Sequence, residues 1–157
     1  MNLRPSTMTC QLKTVDQDAV AQLAQLHAHC FPRGWSESEF NSFFEQNNII
    51  ALIMYDGEKP VAFSFSWVVA DQCELLAIGV LDAWRKQGLA GQMVAQTLRS
   101  AADKGAVQAF LEVGTNNVGA LALYEAAGFE RFGMRKGYYS LPDGTTQDAF
   151  TMRRNLG

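Results

Sequence analysis

Hydrophobic and polar positions follow two periods along this chain. Near the N-terminus, 8–15 has the alternation of a short strand. Asp16 then stands as an N-cap, and Val20, Leu23, Ala24, His27 and Phe31 recur at helical spacing until Pro32 and Gly34 stop the run. Ser36-Glu37-Ser38-Glu39 is a capping box, in which serine and glutamate side chains satisfy each other's free backbone N–H groups. Phe40, Phe43 and Phe44 follow on one face of a second short helix. Segments 49–55 and 61–69 are β-rich on either side of the turn Asp56-Gly57-Glu58-Lys59-Pro60, so they read as a hairpin, and 74–80 adds a third strand. The longest helical pattern is 89–104, with Leu89, Met93, Val94, Thr97, Leu98 and Ala101 on one stripe and Gly105 at its end. An apolar strand follows at 107–113. Asn117 caps a helix at 118–127 that Gly128 closes, and 129–139 and 147–153 form a last pair of strands around Pro142-Asp143-Gly144.

The order is strand, two helices, a three-strand meander, helix, strand, helix, hairpin. A strand, a helix and a strand between 74 and 113 imply a right-handed parallel crossover, and the remaining pairings are antiparallel. This predicts an α+β (mixed α/β) domain with one mostly antiparallel sheet and about four helices, not a doubly wound nucleotide-binding fold. There is no internal repeat or linker, so residues 1–157 read as a single domain.

Composition narrows the classes. With 48% hydrophobic and 18% charged residues, the chain can build a core. A net charge of -3 gives no support to nucleic-acid binding and fits an amine or cationic partner slightly better. Cys10, Cys30 and Cys73 are scattered, with no CxxC pair and no histidine at metal-ligand spacing, which reads as reduced thiols in a cytoplasmic protein without a metal. His27 and His29 read as structural. No leader pattern stands at the N-terminus, and the longest apolar stretch, 61–70, is broken by Ser64 and Ser66 well short of the roughly 20 residues that span a bilayer. No membrane partner is expected.

The stretch WRKQGLAGQ, from Trp84 to Gln92, joins a strand to the start of the longest helix. A helix N-terminus carries free N–H groups and about half a positive charge. Gly88 and Gly91 lack a Cβ and Ala90 has a small one, so an anion can approach the backbone; Arg85 and Lys86 add charge. The chemistry suits a pyrophosphate. Neither the GxGxxG dinucleotide fingerprint nor the GxxxxGK[ST] phosphate loop is present. Taken alone, the stretch is equally an ordinary strand-to-helix turn.

Arg85-Lys86-Gln87-Gly88-Leu89-Ala90 is similar to the R/Q-x-x-G-x-G/A motif of the GNAT acetyltransferases, and the order of elements resembles that fold. A second run, Asn117 followed by Ala120 to Phe129, is similar to the family's N-x-x-A-x-x-L-Y-x-x-x-G-F pattern. The resemblance implies that the turn, from Arg85 to Gly91, holds the pyrophosphate of acetyl-CoA, that Ile78, Gly79 and Val80 contact its pantetheine and acetyl carbonyl, and that Asn117 touches the cofactor while capping its helix. It narrows further. Glu112 in Leu-Glu-Val, Tyr124, Arg135, Tyr138-Tyr139, Asp148-Ala149 and the segment Phe31-Pro32-Arg33-Gly34-Trp35-Ser36 resemble the RimI-type enzymes, which acetylate the N-terminal alanine of a small-subunit ribosomal protein. Coverage runs from about residue 24 to 152. Departures lie near the expected peptide site: Gly114 stands where arginine is common, and the proline expected after Tyr-Tyr is displaced to Pro142.

The residues support that chemistry. An α-amine has a pKa of about 7.7–8.0 against about 10.4 for lysine, so a modest base suffices. Glu112, closing the apolar run Ala109-Phe110-Leu111, is the candidate base; its bland alternative is a strand-end salt bridge. Tyr124 lies about two turns into the following helix, and the family pattern implies that its phenol protonates the leaving thiolate, whereas residue type alone suggests core packing. Gly114, Tyr138 and Tyr139 are expected at the acceptor groove, and backbone N–H groups near Gly79 and Val80 at the carbonyl oxygen. No cysteine falls in either motif, which implies direct transfer in a ternary complex. The expected acceptor is the N-terminal segment of a ribosomal protein, and the expected assembly a monomer or weak homodimer. Acetylation of a small amine or a lysine side chain, and a non-catalytic acyl-CoA-binding module, are the alternatives.

Overall fold

The side chains that set the helices are also those that set their ends. In the computed structural model, which describes residues 10–157, the Asp16 carboxylate accepts from the Asp18 N–H at 3.0 Å and starts a 3₁₀ turn over Gln17–Ala19 rather than the α-helix itself. Helix α1 then runs Val20–Cys30. Ser36 caps α2 (Glu37–Gln46) through a bond from the Glu39 N–H at 3.1 Å, the serine half of the capping box; the Glu39 carboxylate accepts from the Ser36 hydroxyl at 3.5 Å in place of the Ser36 N–H. Helix α3 (Leu89–Asp103) buries Leu89, Met93, Val94, Thr97, Leu98 and Ala101, the whole predicted stripe. Asn117 caps α4 (Val118–Ala126) by accepting from the Ala120 N–H at 3.1 Å.

Seven strands make one sheet: β1 (Cys10–Val15), β2 (Asn48–Asp56), β3 (Lys59–Val69), β4 (Gln72–Val80), β5 (Gln108–Gly114), β6 (Glu130–Ser140) and β7 (Thr146–Asn155). Residues 8 and 9 of the expected first strand, and the segment read for a leader, lie outside the described residues. The strand order is β1-β2-β3-β4-β5-β7-β6. β4 and β5 are parallel and the other pairs antiparallel, so α3 is the predicted crossover. The last strand, β7, inserts between β5 and β6.

Helices α1 and α2 pack on one face of the sheet through Leu23, Leu26 and Phe40 against Ala51, Ile53, Phe63, Phe65 and Ala77. On the other face Val94, Leu98 and Ala101 of α3 and Leu121 and Tyr124 of α4 cover Leu75, Ala109, Leu111 and Val113. On β5 the side chains alternate: Ala109, Leu111 and Val113 face α3 and α4, so Phe110, Glu112 and Gly114 face the opposite side.

Candidate active site

The ladder between β4 and β5 stops early. Its register runs only from Gln72↔Gln108 to Leu75↔Leu111, although β4 continues to Val80 and β5 to Gly114. A bulge marks the divergence. Phe65 pairs with Ala77 and Ser66 with Leu75, leaving Leu76 as the extra residue, and a bulge bends the strand that carries it. The two strand ends therefore form a V. Ile78, Gly79 and Val80 lie along one arm, still paired on their other side with Ser64, Phe63 and Ala62; Glu112 and Gly114 lie on the other arm. Gly79 is set by packing as well. A Cβ there would stand 2.7 Å from Cys30 Sγ and 3.0 Å from a Phe63 ring carbon, so α1 presses directly on this part of β4.

The turn after β4 meets the requirements of an anion cradle. Gly88 takes φ 80°, a left-handed conformation in which a side chain is strained, and Lys86 takes φ 62°. Gly88 caps α3 with no side-chain hydrogen bond. The first backbone bond of the helix is from Gln92 N–H to the Gly88 carbonyl at 3.2 Å. Among the described residues, the N–H groups of Leu89, Ala90 and Gly91 have no acceptor, the state in which a helix N-terminus binds anions. No protein atom lies within 4 Å of where a Gly88 Cβ would sit, and at Gly91 only Leu123 of α4 comes within 4.0 Å. The Arg85 side chain is bonded within the turn. Its Nε donates to the Val80 carbonyl at 3.0 Å and its guanidinium pairs with Asp82 at 3.0 Å, bracing the turn. Gln87 likewise donates to the Ala83 carbonyl at 3.4 Å, and Lys86 points to solvent.

At the other arm each carboxylate oxygen of Glu112 has a partner. Oε2 accepts from the Thr151 hydroxyl at 2.9 Å and Oε1 faces Arg135 Nη1 at 3.5 Å. The Glu112 side chain is 16% exposed, so the carboxylate reaches solvent but is held in place. Tyr139 donates to the Glu112 main-chain carbonyl at 3.3 Å. Tyr138 packs edge-on against Tyr139, ring centroids 4.8 Å apart, and carries the Arg135 guanidinium over its face at 5.1 Å. Burial raises the phenols of both, that of Tyr139 to about 12. Tyr124 sits in the α4 core against Phe129. Burial first, and the neighbouring Tyr139 second, push its phenol far above the ordinary tyrosine range. It is therefore a weaker acid than the unperturbed phenol of the sequence argument, and it stays protonated throughout neutral pH.

Glu112, Gly114, Tyr138 and Tyr139 thus come together, and Tyr124 adjoins them through Tyr139. Asn117 lies one turn beyond Gly114, whose carbonyl accepts from the Asn117 N–H at 3.0 Å. Thr151 escaped the sequence reading. Its only signal was the alternation of 147–153, which does not name a partner strand. Among the described residues no cluster of three or more His, Cys, Asp or Glu is placed to hold a metal ion, and no helix is long and apolar enough to cross a membrane.

Comparison with known proteins bears on the family and the fold. The [Ribosomal protein bS18]-alanine N-acetyltransferase of Escherichia coli strain K12 is 33% identical over 141 residues, covering 90% of this chain and 92% of its own. The crystal structure of the Escherichia coli ribosomal-protein-S18-alanine N-acetyltransferase matches with a TM-score of 0.85 at 25% identity over 94% of both chains. Arabidopsis thaliana NAA60, solved in complex with acetyl-CoA, shares the fold at a TM-score of 0.82 and 17% identity, over 94% of this chain and 98% of that one. Residues 20–129 match the Acetyltransferase (GNAT) family, and the chain belongs to that family.

Proposed function

We propose that this acetyltransferase moves the acetyl group of acetyl-CoA onto the N-terminal α-amine of a protein, by direct transfer in a ternary complex, and that its acceptor is the N-terminal alanine of a small-subunit ribosomal protein. The observation that carries the reading is the Glu112 carboxylate, held by Thr151 and Arg135 on one arm of the V whose other arm is the end of β4 beyond its ladder with β5. Similarity to bS18-alanine acetyltransferases supports the acceptor.

Acetyl-CoA supplies a thioester-activated acetyl group and a pyrophosphate. The free N–H groups of Leu89, Ala90 and Gly91 suit the pyrophosphate, and the open space at Gly88 and Gly91 admits it. Asn117, at the head of the neighbouring helix, borders the same approach. Backbone N–H groups near Gly79 and Val80 hold the acyl oxygen as negative charge builds on it. Glu112 takes the proton of the attacking amine. An α-amine with a pKa of about 8 needs only such a modest base. Tyr124 delivers a proton to the departing sulfur as the bond to carbon breaks. With its phenol raised above a thiol's ordinary pKa of about 8.5, the transfer is uphill to the free thiolate as well, so the phenol acts first as a hydrogen-bond donor to the sulfur while charge builds on it. Gly114, Tyr138 and Tyr139 border the acceptor.

The test is thiol release from acetyl-CoA with a short peptide beginning with alanine, against a matched peptide blocked at its N-terminus and carrying an internal lysine. Release only with the free α-amine is expected. Release only with the lysine peptide overturns the acceptor, and no release with either overturns the activity as proposed.

A further inference from the structure

Gln147 stands second in β7, opposite Tyr139 of β6. Two residues on, Ala149 pairs with Gly114 on one side and Arg135 on the other, and Thr151 pairs with Glu112. Directly paired residues and residues two apart on a strand share a face. Gln147, Thr151, Glu112 and Gly114 therefore lie on one side of the sheet, the side on which the Glu112 carboxylate is held.

Gly114 has no side chain, and the amide of Gln147 fills its place. A Cβ on Gly114 would stand 3.0 Å from Gln147 Nε2, 3.2 Å from Cδ and 3.3 Å from Oε1. Three nearly equal distances mean that the amide plane lies flat over the glycine. Among the described residues neither the Nε2 donors nor the Oε1 acceptor of this half-buried side chain makes a hydrogen bond. A primary amide offers donors at Nε2 and an acceptor at Oε1, and the Oε1 suits the N–H of a trans peptide group, whose C=O points the other way. Glu112 and Gly114 are two strand positions apart, about 7 Å. That is the distance covered by one acceptor residue, about 3.6 Å, together with a hydrogen bond of about 3 Å.

We infer that Gln147 Oε1 accepts from the first peptide N–H of the acceptor and thereby sets this site's preference for peptide N-termini over other amines. The inference rests on the N-terminal acetyltransferase reading and deepens it. With the amine at Glu112, a peptide N-terminus presents its first peptide group to Gln147. A lysine side chain presents methylene groups there and leaves the amide unsatisfied, and a small amine presents nothing. Gly114 is part of the device, because any side chain at that position displaces the amide.

The experiment compares an alanine-initiated peptide with its ester isostere, in which the first peptide N–H is replaced by oxygen. For the wild-type enzyme, KM is expected to be about five- to tenfold higher for the ester, with kcat similar. Gln147→Ala raises KM for the peptide to the ester's value and leaves the ester unaffected. Gln147→Glu keeps an acceptor oxygen and retains the discrimination. Gly114→Ala pushes the amide aside and reproduces the Gln147→Ala effect, and the double variant loses nothing further. A Gln147→Ala enzyme that still prefers the peptide, or that loses peptide and ester alike, overturns the inference while leaving the N-terminal reading standing. A wild-type enzyme that acetylates lysine and not the peptide overturns both.

Discussion

The Tyr139 hydroxyl reaches across β7 to donate to the Glu112 carbonyl at 3.3 Å, joining β6 to β5 although the two strands are not neighbours in the sheet. The bond fixes the backbone that carries the proposed base, and burial keeps the phenol protonated up to about pH 12. Tyr139→Phe should therefore lower kcat several-fold at every pH between 6 and 9, because one neutral hydrogen bond contributes about 1 kcal/mol. The check is a kcat–pH profile of the variant. A drop confined to the alkaline side would show the phenol acting through its own ionisation instead.

Glu112→Gln removes the base and keeps the shape. The Thr151 hydroxyl still finds an oxygen, and the lost pairing with Arg135, which is 60% exposed, changes stability by no more than about 1 kcal/mol. The expected outcome is a fall in kcat of about 10²–10⁴-fold with a melting temperature close to that of the wild type. Retention of a tenth or more of the activity would remove Glu112 from the chemical step.

For Tyr124→Phe the ring contact with Phe129 survives, so folding should be preserved. Only the proton at the departing sulfur is lost. We expect kcat to fall at least tenfold and acetyl-CoA affinity to be unchanged, read by single-turnover kinetics and by equilibrium binding. Because the Tyr124 phenol is raised, the wild-type kcat should show no alkaline limb up to pH 10. Full activity in the variant would mean that solvent protonates the thiolate.

Patterns that depend on a single element were legible in the sequence. The α3 stripe from Leu89 to Ala101 is buried as its spacing requires, and the Ser36 and Asn117 caps hold because capping is a local bond. Features that depend on pairing were not legible. The bulge at Leu76, which opens the V, exists only in the register of β4 on β3 and leaves no mark in composition. Thr151 and Gln147 reach the site because β7 lies between β5 and β6, whereas chain order predicts only the β6–β7 hairpin. Charge and the resemblance of the turn assign Arg85 to the phosphate. Its reach to Asp82 and the Val80 carbonyl became visible only once the 3₁₀ turn over Asp82–Trp84 had placed those groups.

Gly88→Ala separates the turn as a fold element from the turn as an anion site. The left-handed φ costs an alanine about 1–2 kcal/mol, and no protein atom lies near the new methyl group. Melting should drop by only a few degrees. Acetyl-CoA affinity should drop further, at least tenfold, because the methyl group stands where an anion approaches the free N–H groups. Isothermal titration beside thermal unfolding distinguishes the two effects. A loss of stability with unchanged affinity would leave WRKQGLAGQ a turn and nothing more.

His27 makes acid stability the last test. It is buried between Phe31 and Trp35, ring centroids 4.5 and 4.4 Å away, and its Nδ1 accepts from the Trp35 N–H at 3.1 Å. An accepting Nδ1 carries no proton, and burial lowers the imidazole from 6.5 to about 4 while Glu39 opposes the shift. The folded state thus holds the neutral ring where the unfolded chain binds a proton. The stabilisation is fully present above pH 6.5 and is lost as pH falls through about 4. A shift from 6.5 to about 4 corresponds to a loss of about 3 kcal/mol over that window. Urea unfolding at pH 7, 5.5 and 4 should show this decline, and His27→Gln, which keeps an acceptor for Trp35 but cannot be protonated, should be less stable at pH 7 and flatter below it. An equal decline in the variant would assign the acid sensitivity to the carboxylates instead.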